Sequence, residues 1–503
     1  MKTMTKLMLA TALSLAPALA LADKANDTAT LLFTKELDNA NLYYTTAREG
    51  TVVGYSAFDT LMYRDPATGD YLPCLATEWE WVDDKTLKLK LREGVTFHNG
   101  EAFNADDVVY TINTMLDPAQ GIKNKGLVSF IDHAEKIDDF TVVLHLPAPY
   151  PAAFEYLAGN TVIYPNEYYA EVGAQGFSMK PVGTGPYMFT EIVPGQSFTL
   201  ERFDGYFKDS PKSAAKIKTI HVRTIPDVNT QIAELMSGGA DFIWQVPTDQ
   251  AEKLASRSGL NVISETTMRI GYITMDAANR TGNSPFTDPL VRKAVNHAIN
   301  RDAIAKALLG EKAQVINSAC FPTQLGCEQD VTTYDYDPAK AKELLAEAGH
   351  ADGLTVEFYA YRDRQLAEAM AGMLAEVGIT ANINMMQYSA LSDKISSGEV
   401  GMAFMTWGSG SINDVAASTA RFFTNSAWDQ SHDQEVADWV NTGSTVVDVA
   451  ERKENYSKAL KKIADEAYWV PLWTYPTNYV ISADLDFVPT ADEVVRFFDM
   501  SWK

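Results

Sequence analysis

This chain reads as an α/β protein of more than one domain. From Ile220 a strand signal runs to Ile225, a helix signal covers Asn229 to Ser237 and stops at Gly238-Gly239, and a further strand covers Asp241 to Trp244. A second series of strands and helices spans roughly 270 to 475, and 503 residues exceed what one hydrophobic core organises.

At the N-terminus, Lys2 and Lys6 precede the apolar run Leu7 to Leu21, and Ala20-Leu21-Ala22 ends it before Asp23. That order predicts a secretory signal peptide cleaved after Ala22, with export to the periplasm and no cysteine at the cut for lipid attachment. A membrane anchor needs roughly 20 apolar residues and a retaining flank. The whole chain carries 66 acidic and 42 basic side chains, net −24; residues 1–22 hold two lysines and no acid, so the remainder stands at 66 against 40, or −26. Such an excess of acid excludes a nucleic-acid binder, which needs clustered Lys and Arg, and serves solubility. The 9 Trp and 23 Tyr suit a protein whose polar aromatics line an interdomain cleft, although most of them belong to cores.

Before residue 66 the pattern is strand, helix and strand, around Leu31-Leu32-Phe33 and Val52 to Met62. Thr86 to Arg92 alternates apolar and cationic residues, the pattern of a strand with one wet face. His98-Asn99-Gly100 is a tight turn, and Asn104 stands at a helix N-cap before Ala105. Thr141 to Leu146 is another strand, ended by the prolines at 147, 149 and 151. Pro181-Val-Gly-Thr-Gly-Pro-Tyr187 leads into strands Met188 to Val193 and Phe198 to Phe203; it lacks the glycine and lysine order of a phosphate loop. Arg269 to Asp276 is a strand, Asp288 caps a helix from Pro289 to Asn300, and Asp337 caps one from Pro338 to Ala348. The last strands fall near Trp473 and Tyr479, placed to return to the first domain.

Three cysteines are too few for a disulfide framework. Cys320 and Cys327 enclose a six-residue loop and are expected to pair, leaving Cys74 as a free apolar residue. The seven histidines, at 98, 133, 145, 221, 297, 350 and 432, form no H-x-x-x-H pair or Cys/His cluster, so neither a metal nor a cofactor is expected.

The segment Tyr71 to Asn113 resembles the signature of the peptide/nickel class of periplasmic solute-binding proteins. So do Pro181 to Tyr187, Gln231 to Asp241, Asp288 to Asp302 and Asp337 to Gly349, in family order. The resemblance implies a two-lobed α/β periplasmic-binding-protein fold of type II-like form with an inserted domain. Expected boundaries are 23–66, 181–268 and 476–503 for lobe I, 67–180 for the insertion and 269–475 for lobe II. It also implies a monomer that captures a short peptide or peptide-like solute and delivers it to the permease of an ABC importer.

In relatives resembling dipeptide binders, a tryptophan is followed three residues later by an aspartate for the peptide amine. Here Trp407 is followed at that spacing by Gly410, and the aspartate is Asp414. Asp414 has two readings, displaced amine partner or helix N-cap. Ser409 and Ser411 lie in the same loop. Arg362, with Arg364 second, matches the place of an arginine for the ligand carboxylate, a task suited to its planar fork; an internal pair with Asp363 is the alternative. Trp473, Tyr475 and Tyr388 match aromatic walls, Trp244 ends a strand where α/β sheets meet ligands, and Thr45, Thr46 and Arg48 have weaker support. Non-peptide solutes such as opines, modified amino acids, glutathione-like compounds or metal chelates remain open. So do two other classes, a peptide-binding chaperone and a secreted serine hydrolase. Ser213-Ala-Ala-Lys216 matches S-x-x-K without the S-D-N and K-T-G partners of that hydrolase class.

Overall fold

The computed structural model describes residues 24–503, so the expected signal peptide lies outside the described residues. Among the described residues no helix is long and apolar enough to cross a membrane.

One mixed sheet of ten strands runs through both lobes. In the second lobe Leu354–Ala360 pairs in parallel with Ile379–Met385 and Met402–Trp407. In the first, Thr28–Phe33 pairs in parallel with Thr219–Thr224 and Phe242–Trp244. Between these sets lie the two longest strands, Leu260–Met275 and Trp469–Ser482, antiparallel to each other. Each belongs to both lobes: Ile270 to Met275 pairs with Met402–Trp407, whereas Tyr479 to Ile481 pairs with Phe242–Trp244. The pairing senses make the parallel strands of each lobe run toward the other lobe. Their carboxyl ends therefore face one another across the gap, where open α/β sheets bind ligands.

Sequence pattern separates the strands near Trp473 and Tyr479 and begins the earlier one at Arg269, yet both are continuous. Pro471 and Pro476 interrupt the hydrogen-bonding pattern, and the ladder answers with register shifts between Thr266 and Ile270 and between Ile270 and Tyr272. The lobes thus meet at irregular pairing inside an unbroken sheet. Each side has its own core: Leu31, Phe33, Val52, Trp244 and Phe497 on one, and Ile273, Val291, Phe358, Phe404 and Trp473 on the other.

A separate antiparallel sheet takes the order Ala76–Asp83, Thr86–Leu91, Thr141–His145, His133–Asp138. Its alternation is as the sequence indicates: Leu87, Leu89 and Leu91 are buried, and Lys88 and Lys90 are exposed. Asn104 caps Ala105–Leu116, accepting from the Asp106 N–H at 2.7 Å while Asp107 accepts from the Asn104 N–H at 2.8 Å. Asp288 and Asp337 cap their helices as expected.

His98 joins two of the sequence strings that carry the family resemblance. Its Nε2 lies 2.9 Å from the Gly185 carbonyl and its Nδ1 accepts the Gly183 N–H at 3.2 Å. Glycine is required there, because a Cβ at Gly185 would lie 2.5 Å from the Ala57 carbonyl carbon. Nearby, Asp59 pairs with Lys212 at 2.8 Å with both side chains buried.

Candidate functional site

The carboxyl ends of the three parallel strands in the second lobe carry Tyr361-Arg362-Asp363, Met386 to Tyr388, and Trp407-Gly408. Tyr361 packs edge-on against Tyr388 at 5.1 Å and shares a 2.5 Å hydrogen bond with the Thr406 hydroxyl. Tyr388 is 44 % exposed, so an aromatic face is open at this end of the sheet. Burial raises the Tyr388 pKa, and the fields of Arg421 and Arg269 oppose that shift. Those two cations therefore share its neighbourhood.

The loop after Trp407 closes the lobes on each other. Ser409 and Ser411 are buried at φ +54° and +67°, left-handed conformations that non-glycine residues adopt at a cost. Arg48 of the first lobe donates to Ser411 Oγ at 2.7 Å and pairs with Glu493 at 2.8 Å. Arg64 donates to the Ser411 carbonyl at 3.1 Å, and the Asn413 N–H donates to Glu155 at 2.7 Å. Ser411 Oγ itself donates to the Asp492 carbonyl at 2.6 Å. Burial by itself would raise the Asp492 and Glu493 carboxyls, but Arg496 and Arg64 hold the first well below the usual carboxylate range, and Arg269 and Arg48 lower the second. Ser411 is thus part of the latch between lobes, and Ser409 turns the loop that carries it, its carbonyl accepting the Ile412 N–H at 3.0 Å.

Several candidate residues sit elsewhere than expected. Asp414 is buried; its Oδ2 pairs with Arg452 at 2.8 Å and its Oδ1 accepts the Ala416 N–H at 2.9 Å. The capping reading matches this geometry, and the amine-binding reading does not, because the carboxylate is already neutralised. Arg362 is bound to Asp363 at 2.6 Å and stacks over Tyr475 at 5.1 Å, so the internal pair named as its alternative forms. Arg364 points along its own helix to Glu368 at 3.4 Å and is mostly exposed. Trp244 and Trp473 are 1 % and 0 % exposed and belong to the cores. Tyr475 is also buried and donates to Asp363 at 3.2 Å, supporting the Arg362 loop from below. Of the weaker candidates, Thr45 donates to Asp38 at 2.6 Å, Thr46 is exposed, and Arg48 belongs to the latch.

Trp407 is half-buried at the end of its strand, its indole N–H donating to the Ala417 carbonyl at 3.0 Å. Sequence reasoning missed the residue beside it. The Arg421 guanidinium lies 4.9 Å from the Trp407 ring centroid and 4.3 Å from that of Trp428. No charge pattern announces Arg421, since no acid neighbours it in sequence.

The structure joins Cys320 to Cys327, and Cys74 is free and buried. The disulfide loop splints the loop after Trp407: Gln324 donates to the Ile412 carbonyl at 2.8 Å and the Leu325 N–H to that of Asn413 at 3.0 Å. Ser213, the hydrolase candidate, donates to the Asp499 carboxylate at 2.5 Å and to the Phe498 carbonyl at 3.2 Å, contacts that tie its loop to the C-terminal segment. Two histidines that share no sequence motif come together. His133 and His145 face each other across adjacent strands with rings stacked at 4.3 Å, and with Glu135 they offer metal-ligand atoms within 4.8 Å of one another. Only strand register brings them there.

The family described as bacterial extracellular solute-binding proteins, family 5 Middle, matches residues 70–430. The glutathione-binding protein GsiB of Pectobacterium atrosepticum is 30% identical over 413 residues, 78% of each chain. Among solved structures, the periplasmic binding protein DppA of Helicobacter pylori, in complex with the peptide STSA, has a TM-score of 0.79 at 24% identity, covering 94% of this chain and 98% of that one. The substrate-binding protein CtaP of Listeria monocytogenes has a TM-score of 0.84 at 23% identity, covering 94% and 99%. At these identities the two structures establish the shared two-lobed fold.

Proposed function

This chain belongs to the bacterial extracellular solute-binding proteins of family 5, the receptors of ATP-driven importers, and we propose that its cleft encloses a short peptide or peptide-like acid for delivery to a membrane permease. The observation that carries this reading is the opposition of strand carboxyl ends across an interlobe gap spanned by Arg48, Arg64 and Glu155. Closure of that kind strips water from a small solute while a few polar groups fix its ends. Binding then shifts the lobe equilibrium toward the closed form that a permease recognises. The similarity to a glutathione-binding protein supports a peptide-like acid over a metal chelate.

The reading includes export through a signal peptide cleaved after Ala22, residence in the periplasm, action as a monomer and no chemistry on the solute. In this reading residues 23–66, 181–268 and 476–503 form lobe I, 67–180 the insertion and 269–475 lobe II; the separate cores support the split between the two lobes, whereas the insertion shares its packing with Leu42, Tyr43, Leu61 and Met62. Native mass spectrometry of protein isolated from the host periplasm tests it. A retained small solute whose released mass matches the same compound in the extract is the expected result. Release of a cleaved or altered compound, with turnover on re-addition, refutes it.

A further inference from the structure

We propose that Arg421, held between the faces of Trp407 and Trp428, is the anion seat of the cleft and selects solutes carrying a free carboxylate. The inference rests on the solute-receptor reading above and adds the chemical class of the solute.

Three observations converge on this residue. The first is its lack of a partner: among the described residues the Arg421 side chain makes no hydrogen bond or ion pair, and its Nε is fully buried. The other arginines of the second lobe are all engaged. Arg362, Arg364 and Arg452 have carboxylates, Arg292 pairs with Glu466, and Arg280 and Arg301 donate to backbone carbonyls. A buried donor without an acceptor is costly, and a guanidinium is built to give two parallel hydrogen bonds to a carboxylate.

The second is its fixed orientation. Trp428 at 4.3 Å, Trp407 at 4.9 Å and Phe422 at 5.7 Å surround the guanidinium carbon. Aromatic faces attract the cation, and they hold the planar fork in place before any ligand arrives.

The third is the charge balance of the surrounding surface. The nearby acids are committed: Asp363 to Arg362, Asp414 to Arg452, and Glu493 to Arg48 and Arg269. Asp429, next to Trp428, is buried and accepts the N–H groups of Asn425, Ser431 and His432. Of these charged groups, the Arg421 guanidinium is the one left to meet a ligand acid. Trp407 ends the strand Met402–Trp407, and Tyr388 lies in the field of Arg421, which places the seat beside the exposed aromatic face.

The test uses N-acetyl dipeptides with free carboxylates, their C-terminal amides, and sodium glutarate as a carboxylate probe without a peptide group. Tryptophan fluorescence and thermal shift are read against sodium chloride at equal ionic strength. In the wild type, acids and glutarate are expected to bind and the amides to bind about 10- to 100-fold more weakly, the worth of a charge-assisted contact. Arg421→Met loses the preference, Arg421→Lys keeps part of it as a point charge, and Arg257→Gln, at an exposed arginine of the first lobe, behaves as wild type. Equal binding of acids and amides by the wild type overturns the proposal without any variant. So does undiminished acid binding by Arg421→Met, or a wild type that responds to no carboxylate probe, glutarate included. If glutarate binds through Arg421 while the dipeptides do not, the anion seat stands and the peptide reading fails.

Discussion

Replacing Arg452 by Met should destabilise the second lobe heavily. Arg452 Nη2 and Asp414 Oδ2 are 2.8 Å apart, with side chains only 4 % and 3 % exposed. Arg452 also donates through Nε to the Gly443 carbonyl at 2.9 Å and lies over the Tyr456 ring at 5.6 Å. Methionine keeps part of the packing and removes the charge, leaving Asp414 buried with one remaining contact, the Ala416 N–H at 2.9 Å. Breaking one side of such a pair costs about 3–5 kcal/mol, because the surviving charge is uncompensated in a dry environment. Asp414→Asn should cost a similar amount by stranding the guanidinium. The double variant Asp414→Leu/Arg452→Met should lose less than the two single losses added, since neither charge remains. Urea unfolding at pH 7, followed by tryptophan fluorescence, measures all three. A loss below about 1 kcal/mol for Arg452→Met would refute the structural assignment. An Asp414→Asn protein of normal stability that no longer binds solute would return Asp414 to the ligand.

Three further outcomes are expected. Burial pushes the His98 imidazole down to about 4 despite its hydrogen bond to Gly185, so the folded state keeps it neutral where the unfolded chain takes a proton. Below an unfolded value of about 6.5 stability should therefore fall with pH until about 4, by up to about 3 kcal/mol; urea midpoints at pH 7 and 5 should converge in His98→Gln, and an unchanged pH slope would contradict the assignment. Arg48→Ala removes the contacts to Ser411 and Glu493 and should raise the open population, seen as a larger radius of gyration by solution scattering; an unchanged radius counts against the latch. Reducing the bridge between Cys320 and Cys327, separated by 7 in sequence, should cost about 2.5 kcal/mol on loop-closure grounds and weaken solute binding, because that loop props residues 412–415. Identical urea midpoints with and without reductant would rule that out.

Local features were legible in the sequence, and long-range partners were not. Alternation at Leu87, Leu89 and Leu91 and the capping residues Asn104, Asp288 and Asp337 depend on neighbours a few positions away, so pattern suffices for them. Asp414 depends on Arg452, 38 residues downstream, and nothing local distinguishes an aspartate awaiting a ligand from one already paired. Trp244 and Trp473 show the same limit, since a tryptophan at a strand end suits a core as well as a cleft. Arg362 carries its partner Asp363 beside it in the sequence, whereas Arg421 is distinguished by an absence of partners that no local pattern displays. His133 and His145 meet only through antiparallel register.

The order of the ten strands has a consequence for synthesis. Trp469–Ser482, among the last strands to leave the ribosome, sits in the middle of the sheet between Leu260–Met275 and Phe242–Trp244. Phe497, Phe498 and Met500 then fill the core around Leu31 and Phe33, the earliest strand described. Contacts of such long sequence separation form slowly and only after their last member exists. The nascent first lobe therefore stays loose until nearly the whole chain has been made, and a chain cut short before Trp469 would leave both lobes without the strand that joins them.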